Sequence, residues 1–140
     1  RRGETGATKK FLEGIGVPIL GEISGEGTME GGDVVWLDEK TVAVGRGYRT
    51  NYEGIRQFRE LTKDIVDEFI VVELPHGDGP DECLHLMSVI SMVDHDLAVV
   101  YSKLMPVSFR DLLTERGIEL IEVDDVEYAN LGSNVLALAP

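Results

Sequence analysis

The sequence predicts a single α/β (α+β) domain assembled from ββαβ repeats. Short β-branched runs alternate with segments of helical apolar spacing, the pattern of mixed α/β domains. The order strand, strand, helix, strand occurs twice, and aligning Val42-Ala43-Val44 with Leu97-Ala98-Val99 sets the period at 97 − 42 = 55 residues. At 140 residues with 43% apolar content, the chain is long enough to bury one core.

Residues 5–14 are helix formers, with Phe11, Leu12 and Ile15 at helical spacing, and residues 17–22 read as a short buried strand. Residues 24–32 are rich in glycine and read as a loop. Strands at 33–38 and 41–45 flank the polar tight connection Glu39-Lys40. Ile55, Phe58 and Leu61 give residues 52–63 an inward helical face, with Thr50 or Asn51 as its cap, and 69–74 form a β-rich run stopped by Pro75. After the loop at 76–80 the order returns: strand 84–93, turn Asp94-His95, strand 97–101, helix 108–116 and strand 118–123. Residues 134–138 begin the pattern once more. The predicted organisation is one domain holding an incomplete unit (1–32), two complete units (33–75 and 84–125) and the start of another (133–140). Units of this length share a core with their neighbours. The chain begins with Arg1, and its last predicted strand has no following turn or partner, so both ends read as cut.

A net charge of −13 without a local lysine and arginine cluster counts against nucleic acid and anionic membranes. It suits a cationic ligand, or serves solubility alone. No apolar run approaches the roughly 18 to 20 residues that span a bilayer, and no signal-type apolar core follows Arg1-Arg2-Gly3-Glu4, so a cytoplasmic protein is expected. The single cysteine, Cys83, allows neither an internal disulfide nor a cysteine-rich zinc site.

Three segments carry candidate chemistry. In Glu30-Gly31-Gly32-Asp33 two carboxylates flank adjacent glycines at the start of a strand, which fits a cationic ligand approaching the main chain or, equally, an acidic hairpin turn. Lysine does not follow the glycines, and the surrounding acids would repel phosphate. Arg49, between a strand end and a helix start, can grip a carboxylate with paired hydrogen bonds, although a surface salt bridge serves as well. In Cys83-Leu84-His85 the strand assignment puts thiol and imidazole on one face about 6 to 7 Å apart, beyond hydrogen-bond reach, so Cys83 reads as a packing residue. His85 is either a satisfied core histidine or an acid and base. His76 and His95 fall in turns without a metal-ligand spacing, so neither a metal nor a cofactor is expected.

Taken in order, Glu30-Gly31-Gly32-Asp33-Val34, Arg49-Thr50-Asn51 and Cys83-Leu84-His85-Leu86 resemble the amidinotransferase, arginine deiminase and dimethylargininase superfamily. The resemblance covers most of the chain. It implies a partial pentein α/β-propeller, a fold of five ββαβ units around an axis, and a small guanidino substrate such as arginine or methylarginine. It further implies that Glu30 is the carboxylate holding the guanidinium and supporting His85, that His85 is the acid and base, and that Arg49 binds the substrate's α-carboxylate. Asp33 is then expected to orient the loop. In this family a cysteine thiolate attacks the guanidinium carbon to form a thiouronium intermediate; that nucleophile lies C-terminal to the segments seen here, so the chain is expected to be an internal, inactive piece of a hydrolase. Met87 stands where arginine deiminases carry aspartate, which shifts the expected substrate toward methylated arginine. An amidinotransferase and a non-catalytic binding or assembly module are the alternatives. Exposed apolar edges of an incomplete assembly lead us to expect self-association, and a homo-oligomer for the parent.

Overall fold

A computed structural model describes residues 2–138. Helix α1 (Arg2–Gly14) leads through extended coil to a 3-10 turn (Gly31–Asp33) and the first sheet, β1 (Val34–Trp36), β2 (Thr41–Arg46) and β3 (Glu68–Glu73), with α2 (Tyr52–Thr62) between β2 and β3. A second 3-10 turn (Leu86–Ser88) opens the other sheet, β4 (Ile90–Asp94), β5 (Leu97–Val100) and β6 (Glu119–Glu122), with α3 (Val107–Glu115) in the same relative place. A short helix, α4 (Asp125–Ala129), follows.

The two sheets share one topology. β1 runs antiparallel to β2 with Val35 opposite Ala43, and β2 runs parallel to β3 with Ala43 opposite Ile70. Likewise β4 is antiparallel to β5, Ile90 facing Val100, and β5 is parallel to β6. A parallel pair needs a crossover, and α2 and α3 supply it.

Alternation along β2 explains why neither unit stands alone. Val42 and Val44 point to one face, where Ile55 and Val66 bury them together with Phe58 and Phe69. Ala43 points to the other face and joins Val35 and Val72 in a core that also holds Ile90, Ala98, Val100, Phe109 and Leu113 of the second unit. Residue-by-residue alternation therefore buries both faces of β2, one inside its own unit and one against the next.

Three sequence expectations are corrected. Residues 17–22 form coil, with Val17 and Leu20 exposed, because no described strand offers them a ladder. Phe11 of α1 and Ile15 just beyond it are also uncovered, at 66% and 60% exposed. The predicted strand 84–93 begins only at Ile90, since Leu86–Ser88 turn as a 3-10 segment. Residues 134–138 are not a strand; they are held by Ser91, whose hydroxyl donates to the Ser133 carbonyl and accepts from Val135 N–H, while 139 and 140 lie outside the described residues. Helix α4, capped by Asp124, had no counterpart in the sequence reading.

No helix among the described residues is long and apolar enough to cross a membrane.

Asn51 organises the approach to the site. Its Oδ1 caps α2 by accepting from Gly54 N–H and also accepts from Thr28 N–H, and its Nδ2 donates to the Glu26 carbonyl. Gln57 adds a second pair of bonds to the Ser24 backbone, so the loop before Glu30 is stapled to the first turns of α2. Gly54 is buried directly under the Thr28 carbonyl, where a Cβ would collide with backbone. Gly54→Ala should therefore destabilise the fold, although alanine at an unobstructed helix position gains about 1 kcal/mol over glycine. Urea denaturation checks the sign: a lower midpoint is expected, and a higher one would mean the loop is not seated on α2.

Candidate active site

Glu30 and His85 are the residues immediately before the two 3-10 turns, with nearly the same extended backbone (φ −118°, ψ 144° and φ −114°, ψ 165°). They are 55 residues apart, the period of the strand repeat. The two turns pack against one another, and this brings Glu30 Oε2 to 2.8 Å from His85 Nε2. Glu30 Oε1 accepts from Arg49 Nε at 2.9 Å. Three residues singled out in the sequence thus form one constellation, with side chains 38%, 17% and 23% exposed for Glu30, His85 and Arg49.

Asp33 does not line this constellation. It is fully buried beneath it, where Oδ2 accepts from Thr50 Oγ1 at 2.6 Å and Oδ1 accepts from Leu86 N–H at 3.0 Å. Thr50 Oγ1 in turn accepts from Glu30 N–H at 3.1 Å. One carboxylate therefore holds the backbone beside His85 directly and that of Glu30 through one hydroxyl. Thr50, a possible cap from the sequence, instead joins Asp33 to the backbone of Glu30; the cap is Asn51, and Thr50 is fully buried. Nothing local in the sequence separates those two roles, because the partner of Thr50 lies 17 residues away.

Gly32 is required by close approach. The His85 ring lies against it, and a Cβ there would stand 2.9 Å from His85 Cγ. Cys83 corrects the strand-based distance: residues 83–85 are not a strand, and Cys83 Sγ stands 3.8 Å from His85 Nδ1, within sulfur hydrogen-bond range. The thiol-bearing residue is exposed. Met87 is half-buried against the main core, and His76 is tied to Tyr48, whose hydroxyl lies 2.7 Å from its Nδ1. A cleft of about 450 Å³ lies at the other ends of β1 and β4 between Trp36, Met92 and Leu138, and contains none of these groups.

Electrostatically the two acids differ. Burial would raise the Glu30 carboxyl, but the hydrogen bonds from His85 and Arg49 and their charges outweigh it, leaving Glu30 below its ordinary value of 4.5. For Asp33 burial prevails over the Thr50 and Leu86 hydrogen bonds and pushes its carboxyl above 3.8. An anionic Glu30 beside an imidazole can hold a cation and orient proton transfer.

Two outcomes follow. Asp33→Ala orphans the buried Leu86 N–H and Thr50 hydroxyl, with an expected cost of about 1–3 kcal/mol per group in chemical denaturation and a displaced His85 ring signal in NMR. Glu30 has a lowered folded pKa, so its stabilising contribution is complete above pH 4.5 and is lost as pH falls from there through the lowered value. The melting-temperature advantage of the wild type over Glu30→Gln should accordingly shrink as pH falls below 4.5. An advantage that survives undiminished in strong acid would contradict the pairing.

The arginine deiminase family model matches residues 15–116, most of the chain. The arginine deiminase of Limosilactobacillus reuteri is 28% identical over 99 residues, which cover 69% of this chain and 23% of that protein. The N(G),N(G)-dimethylarginine dimethylaminohydrolase of Streptomyces coelicolor is 25% identical over 139 residues, 99% of this chain and 50% of that protein. The chain thus spans at most about half the length of these two curated relatives. Among solved structures, the substrate-bound N-terminal domain of ArgZ, a cyanobacterial arginine dihydrolase, superposes with a TM-score of 0.79 at 19% identity, covering 99% of this chain and 49% of that one. The dimethylargininase of Pseudomonas aeruginosa, solved with citrulline, gives a TM-score of 0.60 at 22% identity over 94% of this chain and 62% of its own. These two likenesses establish the pentein-type fold. With the family model covering the first ββαβ unit, the second as far as α3, and every residue of the Glu30, Arg49 and His85 constellation, the chain belongs to the arginine deiminase family, within the pentein superfamily.

Proposed function

We propose that this chain supplies the carboxylate and imidazole half of an active site that hydrolyses a C–N bond in the guanidine of arginine or a methylated arginine. The 2.8 Å contact between Glu30 and His85, with the second Glu30 oxygen already holding a guanidinium, carries the reading. Arg49 sits on Glu30 as a substrate guanidinium would. When substrate arrives, its guanidinium takes over the Glu30 carboxylate and Arg49 turns to the substrate's α-carboxylate, a bidentate partner suited to arginine. A cysteine thiolate from outside these 140 residues attacks the guanidinium carbon. His85 protonates the departing amine, and the thiouronium intermediate remains. His85 then takes a proton from water as it adds to that carbon, and the thiolate leaves. Asp33 and Thr50 act at one remove, as positioning residues.

Relatives named for arginine and for dimethylarginine both match this chain, and solved neighbours carry substrate or citrulline, which supports a small guanidino ligand. Met87 packs toward the core, so it offers the substrate no second carboxylate. We therefore favour a methylated arginine over arginine.

Calorimetric titration of the chain with L-arginine and with asymmetric dimethylarginine tests the binding half. Binding is expected for at least one ligand, tighter for the methylated one, and Glu30→Gln should weaken it at least about tenfold, the loss of one charged hydrogen-bonded contact. Citrulline release by a protein continuing this chain to the length of its relatives tests the chemistry. Equal binding by wild type and Glu30→Gln would falsify the assigned role of the carboxylate.

A further inference from the structure

Residues 134–138 form no strand, yet the turn that leads into them repeats the turns that open the two sheets. Asp33 N–H donates to the Glu30 carbonyl, Ser88 N–H to that of His85, and Asn134 N–H to that of Leu131. Leu131 therefore heads a third turn as Glu30 and His85 head the first two. We propose that Leu131 is a specificity-determining residue that contacts the N-methyl groups of a methylated guanidine held by Glu30 and His85. The contact deepens the function proposed above and rests on it.

Two observations put the third turn beside the others. Ser133 is buried, and its hydroxyl donates to the Ser88 carbonyl at 2.6 Å, while the Ser88 hydroxyl accepts from His85 N–H at 3.2 Å. The second turn is thus joined to the first through Asp33 and the Leu86 amide, and to the third through Ser133. Beyond the turns, residues 34–36, 90–92 and 135–137 line one cavity of about 180 Å³. Equivalent segments converge there, so the residues at their heads, Glu30, His85 and Leu131, follow one another around the same end of it.

The backbone gives a reason to look for a use of this leucine outside the fold. At the end of α4, Leu131 N–H donates to the Tyr128 carbonyl and Gly132 N–H to the Glu127 carbonyl. Such a paired helix ending holds its first residue in the left-handed region, and Leu131 has φ 63°. Glycine is the ordinary occupant of that position, because a Cβ crowds the following carbonyl. Leu131 is the one residue other than glycine with positive φ among the described residues. It is also 71% exposed, so core burial does not offset the strain. Strain kept for an exposed side chain points to a ligand.

The neighbouring groups leave that use open. Glu30 and His85 offer a guanidinium charge and hydrogen bonds, and Met87 packs toward the main core. Free arginine presents only N–H groups at its guanidine end, whereas methylated arginine adds one or two methyl groups that gain from leaving water. A branched aliphatic side chain at the third position covers those methyls and adds little for arginine itself.

Calorimetric titration of the chain, of Leu131→Gly and of Leu131→Asn with L-arginine and with asymmetric dimethylarginine tests the contact, beside urea denaturation of all three proteins. Glycine and asparagine both accept the left-handed conformation. Dimethylarginine binding is expected to weaken about tenfold in both variants, the effect of uncovering two methyl groups, and L-arginine binding to change less than about twofold. Neither variant should have a urea midpoint below that of the wild type. Variants that keep the wild-type preference for the methylated ligand, lose both ligands alike, or unfold at lower urea would overturn the role of Leu131 and leave the hydrolase reading standing. A wild type that binds L-arginine as tightly as dimethylarginine would do the same. A wild type that binds neither ligand would remove both.

Discussion

The buried Asp33 carboxylate is the interaction on which the site depends. It ends the first 3-10 turn, so its side chain drops beneath Glu30 and reaches Thr50 on one side and the Leu86 amide on the other. A charged acceptor with no access to water is costly, and its raised pKa reflects that cost. Breaking either bond leaves a buried donor without a partner, so the arrangement resists small distortions. Because the two donors belong to different ββαβ units, the same carboxylate sets the spacing between them at the point where Glu30 meets His85.

Repetition supplies the chemistry as well as the fold. The residue before the 3-10 turn occupies an equivalent place in each unit, with the same extended backbone, and the shared core under β2 brings the two places together. One unit contributes an acid there and the next an imidazole. Neither unit alone contains a pair, which is why a local motif search finds two weak signals in place of one strong one. Cys83 enters the same space because the chain between Pro75 and Leu86 arrives as coil, free of the flat spacing of a strand.

The Glu30 carboxylate is a place for a cation, and the guanidinium of Arg49 is the one observed on it. An overall charge of −13 favours the approach of further cations.

The sequence by itself determined the mixed α/β class, both β2 and β5, the helices α2 and α3, and the 55-residue period, because alternating and helical apolar spacings are local and survive without knowledge of partners. It also marked Glu30, Arg49 and His85 by residue type and order. Tertiary structure alone decided that residues 17–22 and 134–138 are not strands, since an apolar run becomes a strand only where an edge is available to pair it. It alone gave Thr50 its place between Asp33 and Glu30 and set Cys83 within 3.8 Å of His85, because distances across a turn depend on dihedral angles that residue spacing does not specify. What begins in the sequence as an α/β repeat with scattered polar residues becomes a site only when two units are packed face to face.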